Sequence, residues 1–194
     1  MAAQIRTRDM DWNAVVVLAA VLLAAVWADA TKRTIPNPLI VGGLASGLVF
    51  AATTGWQAFW LALAGMAVGF LIFLPAYVWA GMGAGDVKLM AAIGTFVGPK
   101  GAALAALASL IAGAMLGLLL LLTHGGVRAF ARRYRQMFHE FTANKRFRYI
   151  PAAPREAASQ PLPYALAIAV GTFWLLWHQG GWSMFTDRLQ WVLS

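Results

Sequence analysis

The chain contains no cysteine, so disulfides, thiolate nucleophiles and cysteine-based zinc sites are excluded together. Charge is scarce as well. Of 194 residues, 11% are charged, and only 7 of these are Asp or Glu. The three histidines, His124, His139 and His178, lie far apart with no ligand spacing between them, so no metal site is expected. What fills the space is apolar. Hydrophobic residues make up 61% of the chain, well above the roughly 45–50% of soluble domains. Long uncharged runs separated by short polar breaks predict an all-α, polytopic integral-membrane helical bundle of about six transmembrane segments. The length suits a single domain over residues 1–194. The net charge of +8 could suggest nucleic acid, but it is concentrated between two spans. Membrane orientation and contact with lipids are the better reading, with no nucleic-acid partner.

The N-terminus imitates a cleavable signal peptide: Arg6 and Arg8, an apolar run, then Ala28-Asp29-Ala30. Asp9 and Asp11 nearly neutralise the leading segment, and Lys32-Arg33 follows like a cytoplasmic anchor. A retained first span is therefore expected, from about Asn13 to Ala28. Pro36 and Pro38 flank Asn37 as a turn and helix-entry signal. A second span is expected from about Leu39 to Thr53, and a third from an interfacial Trp56 and Trp60 to about Ala80. After the glycine-rich Gly81–Gly85 comes a short fourth segment, Val87 to Val97, ended by Gly98-Pro99-Lys100-Gly101. A fifth span covers about Ala102 to Thr123. A basic loop, about 124–161, precedes a sixth span from about Pro163 to Trp177. Trp182, Phe185 and Trp191 in the tail suit an interface.

The basic loop holds 8 of the 15 Lys and Arg residues, which predicts a cytoplasmic location. Counting back two spans puts Asp86 and Lys88 on that side, and two more put Asp29 there too. The fourth segment, about 16 Å long against a core of roughly 30 Å, implies that Asp86 starts below the surface on irregular backbone in a protected cavity. A single span from Asp86 to Thr123 would instead place the basic loop outside, and the charge pattern rejects it.

Asp29 and Asp86 are thus two acids in an apolar setting at the same end of the bundle. An ionisable residue at membrane depth marks function. Two facing carboxyls in a low-dielectric pocket cannot both ionise cheaply, so such a pair holds one proton between them. One member can then take a proton from an attacking water while the other polarises a peptide carbonyl and protonates the leaving nitrogen. That is aspartic-protease chemistry, and Gly83 and Gly85 beside one acid would let substrate backbone approach. The residues also admit blander roles. Asp29 could be an interfacial or capping residue, Asp86 could cap the fourth segment, and a proton or ion carrier would use the same two acids. A non-enzymatic assembly subunit is a further alternative.

The motifs carry a resemblance. Gly83-Ala84-Gly85-Asp86-Val87-Lys88-Leu89 resembles the Gly-x-Gly-Asp-[Val/Ala]-Lys-Leu signature of type IV prepilin peptidases. Asp29 followed by Arg33-Thr34-Ile35-Pro36-Asn37 resembles that family's first motif. Order, spacing and the two intervening spans agree over about Trp27 to Gly98. The resemblance implies an aspartic endopeptidase in the bacterial inner membrane, acting without a cofactor. It implies removal of the leader of prepilin-like substrates on the cytoplasmic side, after a glycine that precedes the substrate's hydrophobic helix. It assigns the catalytic acids to Asp29 and Asp86. Lys32, Arg33, Pro36 and Asn37 would shape the first acid's loop, and Gly83, Gly85 and Lys88 would support the second. Long-form relatives carry an early cytoplasmic insertion with paired Cys-x-x-Cys motifs and N-methylate their product. With no cysteine and Asp29 directly after the first span, this chain resembles the short, tight-adherence pilus form, which argues against methyl transfer. Pro163-Tyr164-Ala165-Leu166 is somewhat similar to a proline-containing element near the active site of related membrane aspartic proteases.

Between those motifs and the C-terminus, Val127, Phe130, Ala131, Tyr134, Phe138 and Phe141 recur at helical spacing among arginines, which predicts a basic amphipathic helix on the anionic leaflet. Lys88 is expected to tune the acids or to reach toward headgroups. Gly42, Gly43, Gly47, Gly65, Gly69, Gly113 and Gly117 permit close helix packing.

Overall fold

The computed structural model describes residues 12–80, 82–123, 131–132, 135–137, 139, 142 and 164–178. Among them are five long helices and no strand: α1 (Trp12–Lys32), α2 (Asn37–Thr54), α3 (Trp56–Ala80), α4 (Ala84–Thr123) and α5 (Tyr164–His178). Helices are what a lipid-exposed chain must form, because each satisfies its own backbone donors and acceptors. Four are long and apolar enough to cross a membrane, and α5 is a shorter apolar helix. The protein is a multi-pass helical membrane protein. Two compact units are present: Met1–Ala112 together with Pro163–Ser194, and Gly113–Leu162.

α1 runs one turn beyond its expected end at Ala28, so Asp29 lies inside a helix and not after one. Nothing between Asp29 and Lys32 breaks the helix, and the Thr31 hydroxyl donates back to the Trp27 carbonyl at 2.7 Å. Arg33 closes it with a φ of 55°, the left-handed stop common at helix C-termini. Its N–H donates to the Asp29 carbonyl at 3.0 Å. Pro36, in extended conformation, then caps α2, and Pro38 sits in its first turn, where a missing N–H costs nothing. α2 therefore starts at Asn37, two residues before the expected Leu39.

As a straight rod, the 40 residues of α4 would reach about 60 Å, twice the apolar thickness of a bilayer. The rod is broken at Gly98, whose φ of 69° and ψ of 179° are non-helical, and Pro99 follows. Contacts show that the chain turns back there. The start of α5 lies at the acid end, where the Ala165 N–H meets Asp29. Further along α5, Leu175 packs by Gly101. Ser109, eight residues after Gly101, approaches Ile168 and Gly171. Up to Ala112, the second arm thus runs antiparallel to α5, back toward the acids. The break falls where the sequence predicts it, and the two arms give six helical arms among the described residues.

The first arm of α4 is the central rod, with every residue from Ala91 to Gly98 buried. Lipid tails are as apolar as leucine, so close van der Waals packing must hold it. A Cβ on Gly65 of α3 would collide with the Gly94 carbonyl oxygen, and one on Gly94 would collide with that of Gly65. Backbone meets backbone at this crossing.

Of the amphipathic-helix positions expected in the basic loop, only Ala131, helical and exposed, is among the described residues. The tail beyond His178, the segment before Trp12, and Gly81 also lie outside them.

Gly94→Val is expected to destabilise the bundle by about 3 kcal/mol, the upper end of overpacking costs, because backbone on the partner helix cannot yield. Gly42→Val should be near neutral, since nothing lies within 4 Å of a Cβ there. Denaturant melts of the two variants in micelles check the contrast.

Candidate active site

Both acids are buried, each at 8% exposure. Burying a carboxyl is tolerable only when donors replace the lost water, and here each donor comes from the beginning of a helix. Asp29, near the end of α1, accepts the Ala165 N–H through Oδ2 at 3.1 Å, across 136 residues of sequence. That N–H is among the first in α5, which has no intrahelical acceptor for it. Asp29 thus caps a helix, though a distant one.

Asp86 is the third residue of α4 and does not stand on irregular backbone as the sequence suggested. Its own N–H donates to the Gly83 carbonyl at 3.1 Å, and the Gly83 backbone in turn donates to its carboxyl. This is half of a capping box, with the acid at the third helical position and Gly83 as the cap. The helix dipole favours a carboxyl there. Asp86 and Asp29 lie close enough for their charges to interact. The structure therefore brings together the two acids that are 57 positions apart in the sequence.

The flanking motifs also meet. A Cβ on Gly85 would stand 3.2 Å from the Ile35 Cβ, so the second motif packs on the first at van der Waals distance. Lys88 donates through Nζ to Asn37 Oδ1 at 3.2 Å. Its observed partner is thus a motif residue, a third role beside tuning and headgroup contact. Lys32, Arg33, Pro36, Asn37, Gly83 and Lys88 are all exposed and form the rim. Gly83 has a second constraint, since a Cβ there would lie 3.0 Å from Asp86 Oδ2. Among the described residues no group of three or more His, Asp or Glu could hold a metal ion.

One neighbour of Asp86, and the residue it packs on, carry little or no motif signal. Tyr164, half-buried at the start of α5, lies within electrostatic reach of Asp86. Its ring meets Phe73 of α3 edge-on, with centroids 6.1 Å apart at 78°. Phe73 is fully buried, but within a uniformly apolar helix no periodicity separates it from lipid-facing residues.

Residues 16–118 match the sequence profile of the type IV leader peptidase family, a stretch that includes both acids and more than half of the chain. The chain belongs to the type IV leader peptidase family. Among its relatives is a prepilin leader peptidase/N-methyltransferase of Aeromonas hydrophila, 33% identical over 117 residues, which are 56% of this chain and 40% of that protein. A protein of the same name from Bacillus subtilis (strain 168) is 30% identical over 164 residues, 82% of this chain and 52% of the relative. Another, from Myxococcus xanthus (strain DK1622), is 34% identical over 116 residues, 56% of this chain and 35% of the relative. The chain thus spans about half the length or less of these relatives. No solved structure matches it.

Asp29→Asn keeps an oxygen acceptor for the Ala165 N–H and is expected to unfold in micelles at nearly the wild-type denaturant midpoint. Asp29→Leu leaves that donor unpaired and should cost about 1–3 kcal/mol. Equal midpoints for the two variants would remove Asp29 from the support of α5.

Proposed function

We propose that the chain is an aspartic endopeptidase that removes the leader of prepilin-like substrates, with Asp29 and Asp86 as its catalytic pair. The observation that carries this reading is the meeting of two buried carboxyls within electrostatic range of each other, inside the stretch that matches the leader peptidase family. A pair so placed shares one proton. The ionised member takes a proton from water as the water oxygen attacks the scissile carbonyl carbon. The neutral member donates a hydrogen bond to the carbonyl oxygen, and the carbon–nitrogen bond breaks as the departing nitrogen is protonated. Lys32, Arg33, Pro36, Asn37, Gly83, Gly85 and Lys88 frame the approach to the pair. Gly83 and Gly85 leave room for substrate backbone.

The site faces the cytoplasm of a bacterial inner membrane. Supporting this side, the stretch 124–161 holds 8 of the 15 cationic residues and precedes in sequence α5, whose start stands at the acid end. Positive loops remain on the cytoplasmic side. The proposal covers hydrolysis and not methyl transfer.

Co-expression with a prepilin substrate tests the pair. Asp29→Asn and Asp86→Asn should each leave uncleaved precursor on a gel while still inserted and folded in the membrane, with rates down about 10²-fold or more. Intact cleavage with lost ion flux would mark a carrier instead. Cleavage and flux both unchanged would mark an assembly subunit.

A further inference from the structure

Tyr164 has no role in the hydrolysis described above, yet it stands where three elements of the site converge. We propose that it is a positioning residue, bracing the first turn of α5 against α3 so that the separation of Asp29 and Asp86 is held. The inference rests on the protease reading of this site.

Three observations lead to it. The Tyr164 ring meets Phe73 edge-on at 6.1 Å, a favoured aromatic geometry, and Phe73 has no exposed surface on which to shift. The next residue supplies the N–H that Asp29 accepts, so displacing the ring displaces the donor. The phenol stands within electrostatic range of the Asp86 carboxyl. The ring thus acts on Asp29 through the α5 backbone, and the hydroxyl stands in the field of the Asp86 carboxyl. The scissile bond needs neither group as an acid, base or nucleophile. The requirement is spacing, because catalytic groups displaced by about 1 Å can lose about 10²-fold in rate.

Purified chain in micelles, a synthetic prepilin-type peptide, and the variants Tyr164→Phe and Tyr164→Leu form the test. Tyr164→Phe keeps the ring and loses the hydroxyl, and it should lower kcat about tenfold with KM within about twofold. Tyr164→Leu loses both, and kcat should fall about 10²-fold, again with KM nearly constant. Amide hydrogen exchange over residues 164–168 should accelerate in Tyr164→Leu and stay at the wild-type rate in Tyr164→Phe. A wild-type kcat in Tyr164→Phe overturns the hydroxyl's part, and unchanged exchange in Tyr164→Leu overturns the brace. A change confined to KM would make Tyr164 a substrate contact and overturn the positioning role. If the wild type leaves the peptide uncut, the protease reading fails by itself, and the exchange measurement still decides whether Tyr164 holds α5 in place.

Discussion

Two helix beginnings converge on two buried carboxyls, and the architecture of the site follows from that pairing. A carboxyl inside an apolar bundle has lost its water and must find donors in the fold. The first N–H groups of a helix have lost their acceptors and carry partial positive charge. Asp29 meets this need with the start of α5, and Asp86 with the cap of its own helix. Each acid is therefore fixed by backbone, which is stiffer than a side-chain partner and undisturbed by most substitutions. The arrangement also explains how segments so distant in sequence come to share one end of the bundle.

Around the acids, the loops that follow α1 and precede α4 are fitted to each other. Ile35 fills the space that a side chain at Gly85 would occupy, and Lys88 reaches Asn37. The first contact is apolar and close. The second is exposed and accordingly weak, since hydrogen bonds that compete with water contribute little. Register between the motifs is set by the packed contact, with Lys88 finishing the rim. Behind them, the glycine crossing of α3 and α4 supplies the close approach that lipid cannot drive.

Much of this was legible in the residues. The apolar runs, the proline and glycine breaks and the shared end of the two acids follow from hydropathy, turn chemistry and charge. The extent of α1 did not. Asp29, Thr31 and Lys32 look like a polar exit, and only the Thr31 hydroxyl bond shows that the helix continues through them. The capping of α5 was hidden for a different reason. Its donor is a backbone N–H, which every residue but proline possesses, so no side-chain pattern marks it. Asp86 reads as a loop residue after three glycines, yet the helix begins two residues ahead of it. Phe73 carries no sequence signal, because membrane helices are apolar toward lipid and toward neighbours alike.

The break at Gly98 bears on biogenesis. The arm before it, Ala84 to Val97, is about 21 Å long at helical rise and cannot span a bilayer core of roughly 30 Å alone. The arm after it is longer and richer in leucine. The translocon would therefore receive the two as a paired hairpin, the second carrying the first into the lipid. Asp86 stands at the head of the weaker partner, so its burial depends on the stronger one.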